Sequence, residues 1–404
     1  MLPIPLHPRY ESLDAWRGVA CLSVVVSHSL NGYYATPGFA DSMRANGGSV
    51  ADWAVLAASQ LWIGVPFFFV ISGYCIAASA DSTRRKPNPG LAYFYRRFRR
   101  IYPPLWAYLI LAAIGIAMLP PQALPGPTAE YPHPIPYPQD VPFSQWIGTI
   151  TLTEEWRPNF FGAERGYFTG QVWTLCYEEQ FYIVVGLIVI VARRWLFLGI
   201  GVITALVLLN FFDLNSLLGD RIGVDLNAYQ VTTPGFFFNG LWLAFAAGIG
   251  VYYRGNYATP IVRWCFDGVL IAGLIRFVLS TPSVWDFKST TLSYLGVAFL
   301  FALVLGWMRP WDAVLARSRW TFPLRWAGQM CYSLYLVHGP ITGVLQWNLY
   351  RWGLTSSAEG LLVSVPLGLA LSLGLSYVFH RVVERRFLNG PIENKSPGTA
   401  VHRL

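Results

Sequence analysis

The chain has 404 residues, of which 54% are hydrophobic, 16% aromatic and only 12% charged, with a formal net charge of +8. A soluble domain of this length carries about a quarter of its residues as charges, so that class is excluded in favour of a multi-pass membrane protein. Nor does the positive charge gather into one basic domain as nucleic-acid binding requires. It lies in short clusters between apolar segments, as orientation signals do.

An apolar stretch of about twenty residues spans the hydrocarbon core as a helix. Ten such stretches follow one another: 12–33, 59–80, 101–119, 171–191, 195–212, 235–253, 262–280, 289–308, 323–349 and 360–383. The first carries Arg17 and His28 and lacks a cleavage site, so it is expected to be retained and not removed as a signal peptide. Of the 29 Lys and Arg, 21 fall on the connections that share a side with the N-terminus and 6 on the opposite set, with Arg17 and Arg276 inside spans. The positive-inside rule then places both termini in the cytoplasm. The expected fold is all-α: a polytopic integral membrane protein of about ten transmembrane helices, with a single membrane domain over 1–388 and a disordered cytoplasmic tail over 389–404. Cys21, Cys75, Cys176, Cys265 and Cys331 have no paired spacing and read as packing residues; no metal site is expected.

The longest connection, about 120–170, is expected outside. Alternating Pro132, Pro134, Pro136 and Pro138 favour stiff, extended backbone, and Trp146, Trp156, Phe160, Phe161, Tyr167 and Phe168 follow. A lid or acceptor-binding surface and an ordered cap or aromatic belt both fit this composition. No internal repeat of the kind that marks many transporters is visible.

Within the first span, Arg17 and His28 stand eleven residues apart, about three helical turns, which puts them on one face roughly 16 Å apart along the axis. Asp14, Cys21 and Val24 fall near the same stripe. Arg17 could snorkel to the inner surface or pair with Asp14, or it could face a site. For His28, a hydrogen bond to a neighbouring helix competes with the role of proton acceptor that its near-neutral titration suits. In the second span, Pro66 and the Ser72-Gly73 pair read as a packing seam, with a cavity-lining break as the functional alternative.

At the mouth of the third span come Arg96-Arg97-Phe98-Arg99-Arg100. Arg96 with Arg99 or Arg100 faces one way, and Arg97 with Arg100 shares a second face. Guanidinium forks suit phosphates; contact with anionic lipid is the alternative. Glu178 and Glu179 stand a few residues inside the fourth span, where carboxylates must be paired, protonated or wet. Either orients His28 as a general base, or the two make a polar link to another helix, for instance through Arg276. For His338 in the ninth span, a core hydrogen bond stands level with catalysis. His380 and Glu384, at i and i+4, read by default as a structural ion pair.

Six pieces, in order, resemble one family. They are Leu13-Asp14 through Arg17-Gly18 to His28; Phe67-Phe68-Phe69-Val70-Ile71-Ser72-Gly73-Tyr74; Arg96-Arg97-Phe98-Arg99-Arg100-Ile101-Tyr102-Pro103; Trp173-Thr174-Leu175 with Glu178-Glu179-Gln180-Phe181-Tyr182; Tyr332-Ser333-Leu334-Tyr335-Leu336-Val337-His338-Gly339-Pro340; and Ser376-Tyr377 with Glu384-Arg385. Together they resemble the membrane-bound acyltransferase family 3 proteins over about residues 10 to 388. One departure is Arg386, where the family's closing motif often has Pro.

The resemblance implies a ten-helix enzyme of a bacterial-type cytoplasmic (inner) membrane. Such an enzyme takes an acyl group, usually acetyl from cytoplasmic acetyl-CoA, and delivers it to a hydroxyl, often on a carbohydrate such as an exopolysaccharide or lipopolysaccharide. It also implies that the Arg17-to-His28 pair and the Arg97-Phe98-Arg99 piece matter for activity. Some members carry a further hydrolase-like domain, which is not expected here. The expected partners are an acyl-CoA donor, a carbohydrate acceptor and the lipid bilayer, with no nucleic acid. In the expected scheme Arg97, Arg99 and Arg100, with Arg17, hold the donor, and His28, oriented by Glu178 or Glu179, takes the acceptor's proton. A small-molecule acceptor such as a macrolide or lipid, or a transporter or flippase without chemistry, are the alternatives.

Overall fold

The computed structural model describes residues 10–34, 39–124, 135–162, 166–211, 235–280 and 290–388. Every regular element among them is helical. The main helices are α1 (Leu13–His28), α2 (Val50–Ser59), α3 (Gly64–Thr83), α4 (Pro89–Ala117), α5 (Phe143–Thr151), α6 (Trp173–Val191), α7 (Leu196–Phe211), α8 (Leu241–Asn256), α9 (Pro260–Ser280), α10 (Thr291–Trp307), α11 (Phe322–Gln329), α12 (Cys331–Arg351) and α13 (Val365–Val382).

Among the described residues each of the ten apolar stretches is occupied mainly by one main helix, the ninth by two, α11 and α12, broken at Met330. Among the described residues, five helical stretches are long and apolar enough to cross a membrane: Val50–Thr83, Pro89–Ala117, Gly170–Val191, Arg193–Phe211 and Ser357–Arg386. A sixth joins them if Thr291–Trp307 and Arg309–Arg317 are taken together across a 55° bend. Length explains why α1 and α8 fall short. Each has 16 residues, about 24 Å at 1.5 Å per residue against a hydrocarbon core of about 30 Å.

Several boundaries differ from the sequence reading, and two of them bear on the site. The first span was expected to reach residue 33, but α1 ends at His28 and the chain turns into a short helix, Asn31–Tyr34. The third was expected to begin at 101. Instead α4 begins twelve residues earlier with Pro89 at its first turn, where a missing N–H costs nothing. It then runs unbroken through the arginine cluster and Pro103-Pro104, so those arginines ride on the same rod as the apolar segment.

Two seams hold the bundle. A Cβ on Gly18 would lie 1.9 Å from the Leu324 carbonyl oxygen, and one on Gly328 would lie 1.7 Å from that of Asp14, so α1 and α11 touch backbone to backbone. A Cβ on Gly73 would lie 2.0 Å from the Phe245 oxygen, and one on Gly248 would lie 1.9 Å from that of Val70. The Ser72-Gly73 seam read from the sequence is therefore the contact of α3 with α8. Gly248→Val is expected to lower the yield of monodisperse protein in detergent sharply. Gly374→Val, where an added Cβ meets nothing within 4 Å, is expected to leave it near wild type. Equal yields would refute the close-contact account.

Hydrogen bonds sort the connections into two ends. At one end Arg193 Nε donates to the Arg84 carbonyl at 2.5 Å and Nη2 to that of Lys86 at 2.9 Å. Arg254 grips both Asp267 oxygens at 2.8 Å, and the Asp312 carboxylate takes the Glu11 and Ser12 N–H groups at 2.8 Å. At the other end Trp347 Nε1 donates to the Gln122 carbonyl at 3.0 Å, Asn348 Nδ2 to that of Ala123 at 3.1 Å and Ser357 Oγ to Asp52 Oδ1 at 2.5 Å. The bonds of Arg193 to Arg84 and Lys86, of Asp312 to Glu11 and of Ser357 to Asp52 each join connections expected on the same side.

The lateral surface is apolar. Leu187, Ile190, Leu206 and Leu209 on α6 and α7 are about half exposed, while Phe181, Trp242 and Phe245 pack together inside. Apolar groups on both the inside and the perimeter mark helices solvated by lipid. In the long connection, residues 125–134, with Pro132 and Pro134, and 163–165 lie outside the described residues, as does the expected tail 389–404. Trp146 packs on Phe168 with ring centroids 4.7 Å apart, and buried Glu154 accepts from Arg157 at 2.8 Å and from the Gly166 N–H at 3.0 Å.

Candidate active site

Helices α1, α3, α4, α6 and α12 enclose a cavity of ≈ 260 Å³. Its wall carries Arg17 and His28 from α1, Ser72 and Cys75 from α3, and Arg97 and Arg100 from α4. Glu178 and Tyr182 from α6 and Tyr332, Tyr335 and His338 from α12 complete it. At 1.5 Å per residue, Arg17 sits about 6 Å from the start of α1. His28 is the last residue of the same helix, so one helical face carries a cation near one end and an imidazole at the other.

Arg17 Nη1 donates to Asp14 Oδ1 at 2.7 Å, the pairing weighed as its structural role, and Nη2 donates to Cys75 Sγ at 2.9 Å. The pairing does not withdraw it from the cavity. It fixes the guanidinium on the wall. Arg97 and Arg100, three residues apart, share one face of α4 as expected. The Arg97 guanidinium lies over the Tyr182 ring, 5.3 Å from its centroid, and its Nε is buried with no hydrogen-bond partner. That orphaned donor beside a cavity is a fit for an anionic group. Arg99 is two residues from Arg97, about 200° around the helix. It is not on the cavity wall, and its Nη2 donates to the Arg386 carbonyl at 3.0 Å.

The adjacent carboxylates also part company. Glu178 is on the wall, where its Oε2 accepts from the Tyr182 hydroxyl at 2.5 Å, and Tyr182 in turn meets Ser72 Oγ at 2.9 Å. Glu179 turns about 100° away and accepts from the Tyr102 hydroxyl at 3.1 Å. Arg276, the partner considered for these carboxylates, is instead exposed on α9 and donates to Ser280 Oγ at 2.8 Å.

His338 takes a larger place than its sequence reading offered. Its ring lies against that of His28, centroids 5.0 Å apart and planes tilted by 53°. Its Nδ1 is 2.9 Å from the Leu334 carbonyl, which can only accept, so Nδ1 carries the proton and Nε2 the lone pair. That Nε2 is buried without a partner, in a residue only 2% exposed. The signal was in the sequence. Tyr332, Tyr335 and His338 recur at i, i+3 and i+6, a polar stripe down one face of an apolar helix. His380 and Glu384, by contrast, are away from the cavity wall. His380 Nδ1 is 2.8 Å from Glu384 Oε2, which also accepts from Ser333 Oγ at 2.5 Å and so ties the end of α13 to the start of α12.

The model of acyltransferase family 3, described as an acyltransferase domain, matches residues 10–381. The "Peptidoglycan O-acetyltransferase OatA" of Listeria monocytogenes is 25% identical over 358 residues, covering 82% of this chain and 49% of that protein. Proteins named "Putative O-acetyltransferase" from Staphylococcus aureus strains COL and MSSA476 are each 22% identical over 355 residues, covering 81% of this chain and 49% of theirs. The chain therefore spans about half the length of the curated relatives it matches. No solved structure matches it.

Proposed function

This chain belongs to acyltransferase family 3, and from that premise we propose that it is an acyl-CoA-dependent O-acetyltransferase of the bacterial cytoplasmic membrane, acting on a hydroxyl of an extracytoplasmic or membrane-linked carbohydrate. The observation that carries the reading is the single cavity joining Arg17, Arg97 and Arg100 to the imidazoles of His28 and His338. A cationic end and a basic end are what transfer from an anionic donor to a hydroxyl needs.

The bias of 21 cationic residues against 6 orients the bundle with ten spans and both termini inside. The arginine end then faces cytoplasmic acetyl-CoA, and α1 leads outward to His28. Arg97 and Arg100 hold donor phosphates through charge-assisted hydrogen bonds. At the far end the acceptor hydroxyl gives its proton to His28, and the neighbouring Nε2 lone pair of His338 shares it. A glycan acceptor is supported by the name of the Listeria relative.

The test is the full-length protein in liposomes with labelled acetyl-CoA and a glycan oligosaccharide. Label on the oligosaccharide together with release of free CoA supports the reading. Movement of either compound across the membrane with the thioester intact overturns it. Arg97→Ala is expected to raise KM for acetyl-CoA by about 10-fold or more, the loss of one charge-assisted contact worth about 1.5–3 kcal/mol. Arg99→Ala, off the cavity wall, is expected to stay within about twofold of wild type, since the bond it loses is exposed and worth little. Initial rates against donor concentration separate the two, and equal effects would remove the assignment of Arg97 to the donor.

A further inference from the structure

The proton of the attacking hydroxyl has a destination in the imidazoles. The same cavity holds a second polar array, in which Ser72 Oγ meets the Tyr182 hydroxyl at 2.9 Å and that hydroxyl meets Glu178 at 2.5 Å. Tyr182 has one hydroxyl proton, and the Glu178 carboxylate, an acceptor when ionised, takes it. The Ser72–Tyr182 bond must then run the other way, with Ser72 as donor. Ser72 thus gives its proton toward a phenol that is itself giving toward a carboxylate, the arrangement in which a weak alcohol nucleophile is activated by a positioned base.

The surroundings agree. The Arg97 guanidinium lies over the Tyr182 ring at 5.3 Å, where it favours negative charge on the phenol oxygen. Cys75, three residues along α3 from Ser72 and on the same face, accepts from Arg17 at 2.9 Å. All of these groups line one cavity. A carboxylate inside an apolar span is costly, and such residues mark functional sites.

We propose that Ser72 carries the acyl group between donor and acceptor as a covalent ester, with Tyr182 and Glu178 as its proton relay. The proposal rests on the acetyltransferase reading above. In the first half-reaction Ser72 Oγ attacks the thioester carbonyl carbon, and its proton passes to Tyr182 as that of Tyr182 passes to Glu178. The C–S bond breaks, the CoA thiolate takes a proton back through the same relay, and acetyl-Ser72 remains. In the second the acceptor oxygen attacks the ester carbonyl while His28 takes its proton. The C–Oγ bond breaks, and Ser72 recovers a proton from the imidazolium end. The net reaction is acetyl-CoA plus alcohol to CoA plus ester, with no other reactant. The relay lets donor and acceptor enter the cavity in turn.

The experiment uses the purified full-length protein with labelled acetyl-CoA and no acceptor. The expected result is a burst of free CoA, one equivalent per protein, and a peptide containing Ser72 heavier by one acetyl group. Ser72→Ala is expected to lose burst and transfer while still binding acetyl-CoA with wild-type affinity, which shows that it is folded. Tyr182→Phe is expected to slow the burst by about 10²-fold or more. Ser72→Cys is expected to accumulate an acyl-enzyme that hydroxylamine releases. Transfer by Ser72→Ala near the wild-type rate, or acetyl on another residue, overturns the relay and leaves the acetyltransferase intact. A wild-type protein that never consumes acetyl-CoA overturns both.

Discussion

His28→Ala is expected to fold and insert normally and to lose acetyl transfer by about 10²–10⁴-fold, the range that a positioned acid–base group supplies. Folding is spared because of where His28 sits. It is the last residue of α1, and the packing of that helix on α11 runs through Gly18 and Gly328 near the opposite end. The hydrogen bond that ties this end of α1 to α12 goes from Gln346 to the His28 carbonyl, which the substitution keeps. Donor binding is also spared, since Arg97 and Arg100 stand on another helix, so kcat falls while the Kd for acetyl-CoA holds. His338→Asn sharpens the result. An asparagine amide keeps an N–H near the Leu334 carbonyl but removes Nε2, so a residue needed only for that hydrogen bond tolerates the change, and one needed for its lone pair does not. A comparable loss in both variants is expected. A fully active His28→Ala enzyme would remove the imidazole end from the chemistry.

The same cavity shows what a sequence discloses and what it withholds. Arg17, His28, Arg97, Arg100 and Glu178 were legible because a charged or titratable group in an apolar helix is expensive wherever it sits. Their neighbours Arg99 and Glu179 have the same chemistry and cost, and only the rotation of α4 and α6 about their axes separates them from the site. That rotation is set by packing: Tyr93, Ile101 and Leu105 bury one side of α4, and Cys176, Phe181 and Val185 one side of α6. The pairing of Ser72 with Tyr182 crosses 110 residues, and no local periodicity encodes it. Helix positions came through well because each is an apolar run. Helix ends did not, because the arginine cluster reads as a break in hydropathy while its backbone continues the helix.

The second large effect concerns stability. Asp81→Ala is expected to destabilise the protein by about 3–5 kcal/mol, the cost of stranding a buried charge. Asp81 is fully buried and holds four groups. Arg84 Nη2 and Nε lie at 2.7 Å from its Oδ1, Arg85 Nη2 at 3.2 Å, and the Tyr252 and Tyr257 hydroxyls donate to its Oδ2 at 2.8 and 2.6 Å. Arg85 is a quarter exposed and can turn to water. Arg84 is 2% exposed, packed over Phe197, and its carbonyl is fixed by Arg193, so it has no path out. Removing the carboxylate leaves that guanidinium in a low-dielectric site with one weak bond, to the Arg194 carbonyl at 3.5 Å. The loss is a large fraction of the margin of a typical fold, so the thermal midpoint in detergent is expected to drop and the yield of intact protein with it. Removing the cation as well, in Asp81→Leu with Arg84→Met, is expected to recover most of the loss, since apolar side chains of similar volume replace a buried pair at little cost. Neither residue lines the cavity, so the folded fraction of either variant keeps its wild-type rate per molecule. A double variant no more stable than Asp81→Ala would show that the network works through the tyrosines and not through the buried ion pair.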